Sequence, residues 1–221
     1  MHERTKKRTV YGPTVGRIGQ FIFRALGWKQ VGERPEVAKC VIIAAPHSTN
    51  WDLFWTLTGS MAWRLPAVFA MKDFWFFWPV GILMRWLGGI PINRRVRSNT
   101  VDQLVQAFDE STKLNMVIPP EGTRKGSGYW KTGFYWIADG AGVPILPAWI
   151  SYEKKEVGLG EPFYTTGDLA ADFERLQDFY EARVGVRGAL RPEDLEKAAK
   201  RLADAQAAGT EVRTIEVPSA T

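Results

Sequence analysis

Short β-branched apolar segments alternate with segments of helical period between residues 40 and 150, and this alternation restricts the fold more than any other feature. "CVIIAA" (40–45) reads as a buried strand, 51–63 as a helix, and "AVFAM" (67–71) as a second strand. Residues 74–87 read as a helix or an interfacial segment. "GIPIN" (89–93) is a short strand at best, because Pro91 cannot donate to a ladder. Helix 100–113 keeps Val101, Leu104, Val105 and Phe108 on one face and opens with Thr100 and Gln103 at capping-box spacing. "MVI" (116–118) is a strand ending at Pro119-Pro120, 132–140 is helical, and "VPILPAWI" (143–150) returns as a strand. The order implies an α/β fold: a single domain with a mixed central sheet flanked by helices.

The flanking segments differ. Residues 1–13 read as a basic, mobile arm, 14–166 as the domain with an N-terminal amphipathic helix, and 167–221 as a helical C-terminal extension. In the first helix Val15, Ile18, Phe21, Ile22, Ala25 and Leu26 recur at helical spacing, with Arg17 and Arg24 off the stripe. Such a helix packs on a domain or lies in a bilayer interface, and both readings stand. In the extension, 168–184 and 193–208 are charged and helical, with a thin stripe at Leu195, Ala198, Ala199 and Leu202. Their charge runs read as solvated faces.

The chain is basic, with 29 Lys and Arg against 24 Asp and Glu in 221 residues, which favours anionic partners. Ten Trp and twelve Phe accumulate near basic residues, as in "KDFWFFWPVGILMRWLGG" (72–89). This pattern suits a large aromatic core or a membrane interface. No uncharged run reaches the ~18 residues of a spanning helix, and no secretory signal is recognised, so contact with a membrane is expected to be peripheral or monotopic. Cys40 is the single cysteine; it excludes an intrachain disulfide and reads as a buried, inert thiol. Two histidines and one cysteine come close to excluding a His/Cys metal site, and no metal is expected. A G-x-S-x-G elbow, a P-loop and a dinucleotide fingerprint are all absent.

"APHSTNWDLFW" (45–55) follows the first strand and holds His47 five residues before Asp52. An imidazole can take a proton near neutral pH, and a carboxylate can orient it. The pair alone is weak, since 24 acids in 221 residues put one at any chosen offset about one time in nine. Within a regular helix the two would also point about 140° apart. They meet only if His47 lies in the turn before the helix. Pro46 ends the strand, and Ser48, Thr49 and Asn50 are turn and N-cap residues, which favours that placement.

Three further stretches follow or form strands: "GGIPINRR" (88–95), "PPEGTRKG" (119–126) and "VPILP" (143–147). Each can reach one edge of the sheet, where α/β sites lie. Arg94 and Arg124 are suited to holding a phosphate, and Glu121 to accepting a hydroxyl or bracing an arginine. Gly122 permits a backbone shape or close approach that a Cβ blocks. Taken in order, the four blocks resemble the glycerolipid acyltransferase family, typified by 1-acylglycerol-3-phosphate acyltransferase. The histidine block H-x4-D is matched by His47 and Asp52, "PINR" carries Arg94, P-E-G-T-R runs from Pro120 to Arg124, and V-P-[IV]-x-P from Val143 to Pro147. Asn93 stands where the family commonly has aspartate, and Pro46 where asparagine is frequent.

The resemblance implies a phospholipid-biosynthesis enzyme that moves a fatty acyl group from acyl-CoA or acyl carrier protein, as co-substrate, to a lysophospholipid hydroxyl. His47 and Asp52 are then catalytic, and Arg94, Glu121, Gly122, Thr123 and Arg124 bind the substrate. No cofactor is bound permanently. The expected location is the cytoplasmic face of the cell membrane. Acceptors other than 1-acylglycerol-3-phosphate, such as a lyso-ornithine lipid or a glycolipid, remain alternatives, as does hydrolysis of the thioester. A nucleic-acid-binding module is disfavoured, because the aromatics sit in apolar runs rather than alternating with basic residues.

Overall fold

A computed structural model describes residues 11–86, 88–92, 100–122 and 128–207. The elements run α1 (Pro13–Ala25), β1 (Lys29–Val31), β2 (Lys39–Ala45), α2 (Trp51–Ala62), β3 (Ala67–Lys72), a 3-10 turn (Asp73–Phe76), α3 (Val80–Trp86) and β4 (Gly89–Ile92). They continue with α4 (Thr100–Asp109), β5 (Leu114–Ile118), α5 (Gly133–Ala141), β6 (Ile145–Ser151), β7 (Glu156–Leu159), α6 (Leu169–Val184) and α7 (Pro192–Ala207). The seven strands form one sheet in the order β1-β7-β6-β2-β5-β3-β4. Every pair is parallel except β6 with β7, so the sheet is mixed, with helices on both faces. Pro91 is accommodated because β4 is an edge strand.

Alternation along the strands divides the core. Val41, Ile43 and Ala45 of β2 join Leu104, Phe108, Phe134 and Tyr135 on one face. Cys40 and Ile42 point the other way and pack with Phe23, Trp55 and Trp63. This is the consequence of the period-2 geometry of a strand buried on both faces. Burial pushes the Cys40 thiol up to about 12, in keeping with an inert thiol.

The structure departs from the sequence pattern in three places. Across the segment read as one element, residues 73–86 divide into the 3-10 turn and α3. The short strands β1 ("KQV") and β7 ("EVGL") extend the sheet without a marked apolar pattern. Helix α6 is embedded rather than merely solvated: Leu169, Phe173, Leu176 and Tyr180 are buried in the core. Its Asp168 accepts the Ala170 and Ala171 N–H groups as an N-cap, and its Asp172 accepts the Tyr135 hydroxyl at 3.0 Å. The Tyr180 hydroxyl donates to the Ile43 carbonyl at 2.7 Å, between β2 and β6.

Helix α1 packs through an unexpected face. Gly16, Gly19 and Phe23 are its buried residues, whereas Ile18, Phe21 and Leu26 of the apolar stripe are exposed. Small residues let the α1 and α2 backbones approach closely. A Cβ on Gly19 would stand 2.6 Å from the Ala62 nitrogen and 2.9 Å from the Thr58 carbonyl oxygen. Gly19→Ala is expected to destabilise the fold by about 1–3 kcal/mol, because the overpacked helix must shift. That loss exceeds the helix-propensity gain of up to ~1 kcal/mol. A lower urea midpoint is the expected reading; an unchanged or higher midpoint would contradict this packing.

Candidate active site

Parallel pairing sends the ends of β2, β5, β6 and β4 to one edge of the sheet. His47 lies two residues beyond β2, Glu121 three beyond β5, and Tyr152 directly beyond β6. The adjacent strands β6, β2 and β5 therefore converge three polar side chains at the carboxyl edge, where open α/β sheets bind ligands.

The strand-to-helix turn is built around Asp52, in the first turn of α2. Its Oδ2 accepts the Ser48 N–H at 2.7 Å and the Thr49 N–H at 2.8 Å. The carboxylate thereby curls residues 47–51 back over the helix start. His47 is consequently outside the helix, and its Nδ1 reaches Asp52 Oδ2 at 3.1 Å. The i,i+5 obstacle posed by a regular helix does not arise.

Asp52 is buried, at 3% exposure, and satisfied on both oxygens. Oδ1 accepts the Tyr152 hydroxyl at 2.6 Å and lies 3.0 Å from the Thr49 hydroxyl. Burial raises the carboxyl's pKa, but hydrogen bonds from Tyr152, Thr49 and Ser48 outweigh that effect and hold Asp52 below the usual aspartate range. It is thus a fixed anion beside the imidazole. The His47 side chain is 28% exposed. With Nδ1 engaged by Asp52, the tautomer protonated at Nδ1 leaves the Nε2 lone pair to accept a proton.

Glu121 braces the same turn from β5. Its two carboxylate oxygens lie 3.3 and 3.2 Å from the His47 backbone nitrogen and accept its N–H. Burial raises the Glu121 carboxyl, the His47 N–H lowers it, and the nearby Asp52 charge adds to the rise. Gly122 has φ +67, and a Cβ there would stand 2.6 Å from Lys131 Cε. It thus meets both demands expected of a glycine at this turn: left-handed backbone and close approach. Arg94, Thr123 and Arg124 lie outside the described residues.

Sequence reading missed Tyr152, which stands 100 residues from Asp52 and belongs to none of the four motif blocks. Among the described residues, no group of three metal-ligating side chains occurs.

Comparison with known proteins shows the family and the fold. A family model described as Acyltransferase matches residues 30–151. The 1-acyl-sn-glycerol-3-phosphate acyltransferase of Escherichia coli (strain K12) is 31% identical over 164 residues, covering 70% of this chain and 64% of that protein. Human 1-acyl-sn-glycerol-3-phosphate acyltransferase beta is 33% identical over 140 residues, covering 61% and 49%. The chain therefore spans about half to two-thirds of the length of these relatives. In fold it is similar to the 1-acyl-sn-glycerophosphate acyltransferase of Thermotoga maritima, with a TM-score of 0.52 at 19% identity over 86% of this chain and 79% of that one.

The depressed Asp52 carboxyl fixes the sign of an acid effect. Its contribution to stability is fully present above the ordinary value of 3.8 and is lost as pH falls through the lower folded value. Between about pH 6 and about pH 3, the wild-type urea midpoint should fall more than that of Asp52→Asn. Parallel pH curves for the two proteins would contradict the assignment.

Proposed function

We propose that this chain, which belongs to the acyltransferase family, transfers a fatty acyl group from a thioester to the free hydroxyl of 1-acylglycerol-3-phosphate, giving phosphatidic acid. The observation that carries the reading is the 3.1 Å contact of His47 Nδ1 with a buried, fully satisfied Asp52 at the carboxyl edge. Support for the acceptor comes from the substrate named for the E. coli and human relatives.

In the proposed reaction, His47 Nε2 accepts the acceptor's hydroxyl proton while the oxygen attacks the thioester carbonyl carbon. Asp52 supports the resulting imidazolium. That attack forms the ester C–O bond; collapse of the tetrahedral intermediate then restores the carbonyl and breaks the C–S bond. The thiolate leaves and takes the proton from His47. An activated thioester makes an acyl-enzyme unnecessary. Arg94 and Arg124 hold the acceptor phosphate, and Glu121, Gly122 and Thr123 shape the acceptor site, with Glu121 also bracing His47. Acyl-CoA or acyl carrier protein is the co-substrate, and no permanently bound cofactor is required.

We further propose a peripheral or monotopic seat on the cytoplasmic face of the membrane. No helix among the described residues is long and apolar enough to cross a membrane. Yet Phe21 of α1 is 69% exposed and Trp51 65%, and Phe74 and Trp78 are 72% and 82% exposed. Apolar residues at these exposures, with Phe21 flanked along α1 by Arg17 and Arg24, suit the headgroup boundary. A slot beneath α2, lined by Ile42, Ala44, Thr56, Gly59, Val117 and Ile150, has a volume of about 40 Å³, too small for a fatty chain. We place the acyl chain instead along the outward apolar residues Leu53, Phe74, Phe77, Trp78 and Ile82 of segments 53–63 and 74–82.

Incubation with palmitoyl-CoA and lysophosphatidic acid should give phosphatidic acid with wild type and at least a 100-fold lower rate with His47→Ala. Product from lyso-ornithine lipid or a lysoglycolipid alone would replace the acceptor. Free fatty acid alone would indicate hydrolysis. Equal rates for the two proteins would exclude His47 as the base. Arg17→Glu with Arg24→Glu should weaken binding to anionic vesicles at low salt, where such attraction is least screened. Unchanged partition would overturn the role of α1.

A further inference from the structure

We propose that Tyr152 is a positioning residue for acyl transfer: its hydroxyl locks the Asp52 carboxylate in the rotation that presents Oδ2 to the His47 imidazole. The inference rests on the reading of His47 as the base and extends it to a residue just beyond the family-matched segment 30–151.

The two carboxylate oxygens have separate tasks. Oδ2 receives His47 Nδ1 and the Ser48 and Thr49 N–H groups. Oδ1 faces the hydroxyls of Tyr152 at 2.6 Å and Thr49 at 3.0 Å. These hydroxyls lie 2.9 Å from each other, closing a triangle on Oδ1. Thr49 Oγ1 also accepts the Trp51 N–H at 3.1 Å, so Thr49 is committed to the helix start. Tyr152 is the component that comes from another strand. Without it, half of the carboxylate is held only by its own turn.

The Tyr152 ring is itself held in place. Trp28 meets it edge-on at 5.4 Å and stacks on Trp55 at 3.7 Å, while Trp55 is buried in α2. Burial and the bond to Asp52 push the Tyr152 phenol up to about 12, so it remains a proton donor throughout the working range of a histidine base. A purely structural duty at the β6–β7 turn is not required of this hydroxyl. That turn has its own bonds, from the Lys154 N–H to the Ser151 hydroxyl at 3.2 Å and from Lys154 Nζ to the Arg183 carbonyl at 3.0 Å.

The test is a double-mutant cycle on Tyr152→Phe and Asp52→Asn, with His47→Ala as control and palmitoyl-CoA and lysophosphatidic acid as substrates. Tyr152→Phe is expected to lower kcat about tenfold or more, with KM for either substrate within about twofold. In the Asp52→Asn background the same change should cost less than about twofold, because its effect passes through the carboxylate. A substrate-independent readout accompanies the kinetics: the titration of the Asp52 carboxyl by 13C NMR. Its midpoint should rise in Tyr152→Phe, since a bond to the charged form is lost. An unmoved midpoint, a wild-type kcat, or an equal fold-loss in both backgrounds overturns the positioning role. If His47→Ala matches wild type, the base assignment fails instead, a result the midpoint does not mimic.

Discussion

A single buried carboxylate organises the reactive edge of this protein. Asp52 takes the N–H groups of Ser48 and Thr49, the two residues before the N-cap Asn50, and uses them to fold the turn that carries His47. The interaction that builds the backbone therefore also places the imidazole. Burying a charge is costly unless it is fully hydrogen-bonded, and Asp52 meets that condition through the loop, Thr49 and Tyr152. Removing a partner from this anion disturbs both the turn and the base.

The sheet supplies what one loop cannot. β2, β5 and β6 are neighbours and parallel, so residues far apart in sequence emerge side by side. Glu121 holds the His47 backbone from one side, while Tyr152 holds Asp52 from the other. Tyr180 joins α6 to the same strands through the Ile43 carbonyl, tying the C-terminal helix to the layer beneath the site. Ile18 and Phe21 on α1, Trp51 and Leu53 at the start of α2, and Phe74, Phe77, Trp78 and Ile82 are left outward, which suits the proposed seat at the headgroup boundary.

Much of this was legible from residues alone. The strands at 40–45, 67–71 and 143–150 announce themselves because buried parallel strands must be short, apolar and β-branched. The His47 turn is readable because Pro46 and the Ser-Thr-Asn run cannot comfortably continue a strand. The packing face of α1 was not readable: an apolar stripe at Ile18, Phe21 and Leu26 suggests burial, but contact runs through Gly16 and Gly19. β1 and β7 were hidden because three or four residues without alternation carry no period. Tyr152 was invisible because its partner is supplied by strand order, which no local pattern encodes. Glu121 was visible as a motif residue, although its hold on the His47 N–H required the β2–β5 pairing.

The most direct measurement is the imidazole tautomer of His47, read by 15N NMR in wild type and Asp52→Asn; the chain has only one other histidine, His2. The expected result is a neutral ring protonated at Nδ1 in wild type, with Nε2 bare, and loss of that preference in Asp52→Asn. A wild-type ring protonated at Nε2, or one indifferent to Asp52, would contradict the account of His47 as a base set by this carboxylate.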